Sequence, residues 1–173
     1  MTNQYTVRQA RPDEYGAIGQ LLVQVYSAIE GFPKADTQPG YYNLLANIGR
    51  LAEKEGTELL VATNATEQVG GAVVYFNNMA AYGPGTPVQH IQNTSGFRLL
   101  AVNPAARGNG IGQLLTNACI ARARALGHEQ VIIHSTESMH VARKMYAKLG
   151  FEPAPAFDFN QKGLPVFGFR LAL

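Results

Sequence analysis

The chain has a single cysteine, Cys119, among 173 residues, so no disulfide can form within it. It has no apolar run approaching the ~20 residues needed to span a bilayer, and its start, Met1-Thr2-Asn3-Gln4, lacks the charged-then-apolar pattern of a signal peptide. These absences predict a cytoplasmic protein with no membrane partner. Charge of one sign is scarce as well. The net charge of +2 is too small for the basic stripe that nucleic acid requires, so no nucleic-acid partner is expected. His90, His128 and His140 show no ligand spacing with other acceptors, which predicts no metal. There is no internal repeat, linker or low-complexity tract. What the chain does have is a 46% hydrophobic content at a length that buries a core without staples, and this predicts one domain over residues 1–173. Between Arg107 and Lys148 the basic residues Arg107, Arg122, Arg124, Arg143, Lys144 and Lys148 face only Glu129 and Glu137. That local excess suits a small polyanion, and equally a solvated helical face.

The most informative stretch is Phe97-Arg98-Leu99-Leu100-Ala101-Val102-Asn103-Pro104-Ala105-Ala106-Arg107-Gly108-Asn109-Gly110-Ile111-Gly112, followed by the helix-like Gln113-Leu114-Leu115. It reads as strand, turn, glycine loop and helix. Gly108, Gly110 and Gly112 lack side chains at alternate positions, so the chain can take positive φ and let an anion sit on its amides. A helix starting near Gly110 aims unpaired N–H groups and its positive dipole end at that anion. Arg107 adds a forked, permanently charged donor. The triphosphate-binding loop ends in Gly-Lys-Ser or Gly-Lys-Thr, whereas Gly112 is followed by Gln113 and Leu114. The dinucleotide fingerprint needs a third glycine at position 111 or 113, where Ile111 and Gln113 stand. The pattern that fits is Arg-x-x-Gly-x-Gly, as Arg107, Gly110 and Gly112. An ordinary glycine turn that binds nothing is the bland alternative.

In this pattern the chain resembles the GCN5-related N-acetyltransferase (GNAT) superfamily, whose signature is Gln/Arg-x-x-Gly-x-Gly/Ala in that strand–loop–helix setting. Ala142-Arg143-Lys144-Met145-Tyr146-Ala147-Lys148-Leu149-Gly150-Phe151 is similar to the family's second signature, a tyrosine-bearing helix closing on Lys-Leu-Gly-Phe. The two motifs stand in the family's order and separation, and the resemblance extends loosely over nearly the whole chain.

Periodicity predicts a strand at Tyr5–Arg8 and a helix from Arg11 to near Ser27 carrying Ile18, Leu21, Leu22 and Val25 at helical spacing. A second helix is expected from Tyr41 to Lys54, with Leu44, Leu45, Ile48 and Leu51 on one face. The runs Glu58–Ala62 and Gly70–Phe76 read as a hairpin, and Asn77–Ser95 as a loop of a length that is usually functional or mobile. Then come a strand at Gly96–Val102, a helix from about Gly110 to Leu126, a strand at Gln130–His134, a helix over Ser138–Leu149 and a strand at Pro165–Leu173. This βααβββαβαβ order implies an α/β fold, a mixed sheet with helices on both faces. The resemblance adds that the sheet is mostly antiparallel and that its fourth and fifth strands, Gly96–Val102 and Gln130–His134, splay apart to admit acetyl-CoA.

Carried over position by position, the resemblance implies that the backbone of Leu100, Ala101 and Val102 holds the pantetheine arm as an added strand would. Arg107, Gly108, Asn109, Gly110, Ile111 and Gly112 would cradle the pyrophosphate, while Leu114 and Leu115 read as core. Tyr146 would protonate the departing thiolate as general acid; by itself it reads as a buried helix tyrosine. The family commonly has a polar residue seven positions before that tyrosine, where this chain has Met139, and the neighbouring Ser138 is the candidate to contact the cofactor arm or cap the helix. Candidate bases are Glu30, Glu137 and His134, with amides near Ala101 or Val102 as oxyanion donors. The strand before the loop lacks a glutamate, having Arg98 among apolar residues, so no base is expected from it. Cys119 reads as packing.

The segment Tyr26–Tyr42, with Tyr26, Phe32, Tyr41 and Tyr42, would select the acceptor together with the Asn77–Ser95 loop and Phe157-Asp158-Phe159. The reading implied is an acetyl-CoA-dependent N-acetyltransferase of one domain, acting on a primary amine of a small molecule or peptide by direct transfer in a ternary complex. A silent acyl-CoA-binding sensor of the same fold and a nucleotide-binding domain are the alternatives. The β-rich end, Phe157–Leu173, is a candidate for edge-to-edge pairing in a homodimer.

Overall fold

The computed structural model describes residues 4–83 and 85–173. Met1, Thr2 and Asn3 of the polar start, and Pro84 of the long loop, lie outside the described residues. Strand β1 spans Thr6–Gln9 and leads through a 3-10 turn at Pro12–Glu14 into helix α1, Tyr15–Ser27. The turn is pinned by a forked ion pair. Arg8 donates to both carboxylate oxygens of Glu14, at 2.8 and 2.9 Å, and Glu14 also accepts the Arg11 amide at 2.7 Å. Helix α1 buries Ile18, Leu22 and Tyr26, one face at four-residue spacing.

The helix expected over Tyr41–Lys54 is two helices, α2 (Pro39–Ala46) and α3 (Gly49–Ala52). Asn47 leaves helical geometry (φ −110°, ψ 38°), and its side-chain amide donates to the Asn43 carbonyl at 2.9 Å, competing with the backbone for that acceptor. The apolar face survives the break, because Leu45, Ile48 and Leu51 are all buried.

Strands β2 (Thr57–Thr63) and β3 (Val69–Phe76) form the expected antiparallel hairpin. Both are apolar nearly throughout, as strands covered on two faces must be. The expected Asn77–Ser95 loop is shorter and partly helical. Met79–Tyr82 forms helix α4, capped by the Asn78 side chain accepting from the Ala80 amide at 2.8 Å, and strand β4 starts at Thr94 and runs to Val102. Helix α5 (Ile111–Ala125), strand β5 (Gln130–Ser135) and helix α6 (His140–Lys148) follow. Two short strands that sequence periodicity does not mark, β6 (Glu152–Pro153) and β7 (Phe159–Gln161), precede the last strand, β8 (Leu164–Ala172). Two and three residues are too few to show alternation.

The strands form a mixed sheet in the order β1-β2-β3-β4-β5-β8-β6, with β7 pairing β8. Among the described residues β4 and β5 pair in parallel and the other pairs are antiparallel. Helices cover both faces: Ile18, Leu22, Leu45 and Ile48 pack on Val61, Ala72 and Val74 on one side, and Leu115, Cys119 and Ala123 pack on Leu60, Ala62 and Val73 on the other. Strand β8 is paired on both sides, by β5 on one and by β6 and β7 on the other. Within the Phe157–Leu173 end the outer edge is therefore the short β7, beside β6, and not β8.

The feature that opens the sheet lies in β4. Its pairing with β3 slips between Ala72 and Val74, so that Val74 faces Arg98 and Ala72 faces Ala101 with one extra residue on β4. Leu99 takes the left-handed conformation (φ 61°). This is a β-bulge, which bends the strand that carries it. Pairing with β5 covers only Thr94, Ser95 and Gly96, and from Phe97 onward the two strands diverge. The expected splay of the fourth and fifth strands is thus present, with the bulge as its local cause. The bulge also resets the alternation of side chains: Phe97 packs on the α5 side, whereas Leu99 packs on the α1 side.

Candidate active site

The gap between β4 and β5 opens a cavity of about 460 Å³, within the size range of small-molecule sites. Its lining joins every segment nominated for acceptor choice. Tyr26, Phe32 and Tyr41 come from α1 and the chain after it, Tyr82, Gly83, Gly85 and Thr86 from α4 and its loop, and Phe159, Asn160 and Gln161 from β7. Tyr42, nominated with them, is absent from this lining. Its ring is buried and its hydroxyl donates to the Pro33 carbonyl at 2.7 Å, which ties α2 to the loop before it.

The glycine loop lies beyond the far end of β4. Gly108 (φ 86°) and Gly110 (φ 71°) take the left-handed conformation, and a Cβ on either would meet nothing within 4 Å. Side chains are absent there for conformation, not crowding. Gly112 is different, and the expectation of positive φ fails there: it is helical, and a Cβ would sit 3.3 Å from the Met145 sulfur. Its role is to let α5 lie close to α6. The first helical bond of α5 runs from the Leu114 amide to the Gly110 carbonyl at 3.0 Å, and the amides from Gly108 to Gln113 have no acceptor among the described residues. The Asn109 side chain braces the loop by donating to the Ala106 carbonyl at 2.8 Å, and Arg107 is exposed and forms no ion pair with a described residue. A run of free amides at a helix N-terminus beside an unpaired guanidinium is built for an anion.

Leu100 lines the cavity, and its carbonyl accepts from the Tyr26 hydroxyl at 3.2 Å. Ala101 and Val102 sit opposite Ala72 and Gly71 on β3. Tyr146, on α6, is 6% exposed and lines the cavity. Its ring is held edge-on between Phe97 and Phe151, at 5.8 and 5.7 Å. Its hydroxyl makes no hydrogen bond to a described residue, and burial raises its pKa well above that of an ordinary tyrosine, so it is protonated at neutral pH. Ser138 does not line the cavity and is not the cap of α6. Its hydroxyl pairs with that of Thr136 at 3.0 Å, and Met139 occupies the cap position, its side chain making no capping bond to the helix. Met139, Ser135 and Thr136 line the cavity instead.

Of the three candidate bases only His134 reaches the cavity; Glu30 and Glu137 are exposed elsewhere. His134 Nε2 lies 2.9 Å from the Phe157 carbonyl, and its Nδ1 lies 2.7 Å from the Tyr82 hydroxyl. A carbonyl can only accept, so Nε2 carries the hydrogen. Burial lowers the imidazole pKa and keeps the ring neutral, which leaves Nδ1 to accept from Tyr82. The Tyr82 carbonyl in turn accepts from Arg98 at 3.0 Å, and the guanidinium lies 5.9 Å from the Tyr82 ring centre. Tyr82 and Arg98 carry no recognisable spacing in the sequence; they meet only because α4 folds over β4, where Gly96 leaves room for the Tyr82 ring. Cys119 is fully buried and burial pushes its thiol pKa up, as a packing residue requires. Among the described residues no group of His, Cys, Asp and Glu is placed to hold a metal ion, and no helix is long and apolar enough to cross a membrane.

Comparison with known proteins agrees with this geometry. An acetyltransferase structure of the GNAT family from Staphylococcus aureus Mu50 superposes with a TM-score of 0.73 at 15% identity, covering 98% of this chain and 99% of that one. A GCN5-related N-acetyltransferase from Kribbella flavida gives a TM-score of 0.70 at 23% identity, covering 98% of each. In sequence, a mycothiol acetyltransferase of Streptosporangium roseum is 42% identical over 53 residues, a match that spans 31% of this chain and only 16% of that protein. The family model for the acetyltransferase (GNAT) family matches residues 22–151, a stretch that takes in the bulged strand, the glycine loop and the tyrosine helix. With that match over most of its length, the chain belongs to the GNAT acetyltransferase family.

Proposed function

We propose that this chain is a single-domain, acetyl-CoA-dependent N-acetyltransferase that passes the acetyl group directly to a primary amine bound in the same cavity. The observation that carries the reading is the continuity of three parts along one split in the sheet. Free amides stand beyond the end of β4, the strand diverges from β5, and a protonated, unbonded phenol, Tyr146, lines the gap. The amides from Gly108 to Gln113, with Arg107, would hold the pyrophosphate, and the backbone at Leu100 to Val102, which is not paired with β5, the pantetheine arm. A structural neighbour, yncA from Salmonella typhimurium, has its cofactor acetyl-CoA bound.

The residues divide the chemistry as follows. The amine lone pair forms a bond to the acetyl carbon while the C–S bond breaks, Tyr146 gives its proton to the departing sulfur, and the proton that the new amide nitrogen sheds restores the Tyr146 phenol. Before attack the ammonium must lose a proton. His134 receives it through Tyr82, whose oxygen accepts the amine proton while its own passes to Nδ1, and the Phe157 carbonyl steadies the imidazolium so formed.

Acceptor-dependent release of free thiol from acetyl-CoA tests the reading. Release with a panel of amines, lost in Tyr146→Phe, is the expected result. Turnover that ignores this substitution removes Tyr146 from the mechanism. Acetyl-CoA binding without release for any amine makes the protein an acyl-CoA sensor.

A further inference from the structure

The charges around the cavity are one-sided. Among the described residues that line it there is no aspartate or glutamate, and Arg98 is the only lysine or arginine. Asp158, whose charge reaches His134, is not in the lining; it is occupied by the Gly168 amide at 2.7 Å. Arg98 is half-buried and forms no ion pair among the described residues. Its one described hydrogen bond is from Nη1 to the Tyr82 carbonyl, so most of its five donors are unspent. Its charge is felt by the hydroxyls of Tyr26, Tyr41 and Tyr82. A guanidinium partly withdrawn from water with no counter-charge is costly, and an anionic ligand removes that cost.

The phosphates of the coenzyme are not that anion. Arg98 precedes the end of β4 by four residues, roughly 13 Å of extended chain, and the phosphate cradle begins beyond that end. What faces Arg98 is the acceptor side: Tyr26, Phe32 and Tyr41 in mutual contact, their ring centres 5.5 to 6.2 Å apart. The groove at the cavity mouth shares Phe32, Gln38 and Leu164 with it and adds Lys34 and Lys162, again with no carboxylate.

We propose that Arg98 binds a carboxylate of the acceptor, so that the amine acetylated here is an amino-acid-like anion with an apolar or aromatic body and not a polycation. The proposal rests on the acetyl-transfer reading above and narrows it. A polyamine finds no acidic group among the described residues that line this cavity and meets positive charge at its mouth. A zwitterionic amino acid places its carboxylate on the guanidinium fork, its side chain against the three rings, and its amine toward Tyr82 and His134.

The test compares α-amino acids with the amines left by their decarboxylation, phenylalanine against phenethylamine and leucine against 3-methylbutylamine, with spermidine as the polycation. The wild type is expected to favour the amino acid in kcat/KM by about tenfold to a hundredfold, the worth of a charge-assisted bond, with the difference mainly in KM. Arg98→Met is expected to bring that ratio near one, and Arg98→Lys, which keeps the charge and loses the fork, to lie between. A wild-type preference for the decarboxylated amine or spermidine overturns the proposal. So does an equal loss for both members of a pair in Arg98→Met, which would place Arg98 at the reacting carbonyl. Calorimetry of the CoA-loaded protein with N-acetylphenylalanine and with N-phenethylacetamide gives a readout independent of turnover. If no amine supports thiol release, a preference for the acid that vanishes in Arg98→Met upholds carboxylate binding while the transfer reading fails. Equal binding of the two compounds overturns it.

Discussion

In the proposed reaction Tyr146 and His134 take opposite duties in one cavity. Burial raises the Tyr146 pKa, which keeps the phenol in the protonated state the proposed acid needs, and lowers that of His134, which favours the neutral ring the proposed base needs. Tyr146→Phe keeps the ring between Phe97 and Phe151 and removes only the proton donor. It is expected to lower kcat about a hundredfold or more while leaving stability within about 1 kcal/mol, measured by thiol release and by urea unfolding. His134 also links stability to pH. Burial holds its folded pKa below the ordinary 6.5, so in the interval beneath 6.5 the unfolded chain binds a proton that the folded one does not. Its contribution is therefore complete above 6.5 and is lost as pH falls below it. Urea midpoints measured from pH 7 to pH 5 should fall more steeply for the wild type than for His134→Gln.

At the scale of elements, the site is made by two local departures from regular structure. The bulge at Leu99 bends β4 away from β5, and the left-handed Gly110 starts α5 at the angle that leaves its first amides free. Gly110→Ala forces a Cβ onto φ 71° with no crowding to confuse the result. It should cost about 1–2 kcal/mol and weaken acetyl-CoA binding, read by thermal unfolding and calorimetry. The loop was legible in the sequence because glycine spacing reports backbone conformation directly; Gly112 was misread because a helical glycine and a left-handed one look alike in a string of letters. The bulge was not legible, since nothing in Arg98-Leu99-Leu100 marks an extra residue. The 3-10 turn before α1 offers a separate check. Hydrogen bonds from Arg8 hold the Glu14 carboxyl down at about 2, far below its ordinary 4.5, so the clamp stabilises above 4.5 and weakens as pH falls from there toward 2. Glu14→Gln is expected to cost about 1–2 kcal/mol at pH 7 and to flatten the acid limb of the unfolding midpoint.

For the whole molecule, ligand binding and folding are linked. Acetyl-CoA at a hundred times its dissociation constant should add about 2.7 kcal/mol to the folded state, a rise in melting temperature of roughly 5–10 °C for a chain of this size. ATP and NAD, whose loops end in residues this chain lacks, should give much less. A larger shift with either nucleotide would reverse the assignment of the phosphate cradle.

The order of long periodic segments, the glycine loop and the tyrosine helix were determined by the sequence alone, because each rests on neighbours within a few positions: apolar spacing, a φ that only glycine accepts easily, a motif read along one helix. The tertiary structure alone decided which side chains meet. Arg98 and His134 reach the same cavity from different strands, Tyr82 arrives from a single helical turn inside what reads as loop, and Glu30 and Ser138 are left outside it. Such meetings are set by a bulge, a splay and the packing of α1 and α4 over them, whose causes lie many residues apart along the chain. The chemistry of the loop was therefore written locally, and the polarity of the acceptor cavity was written by the fold.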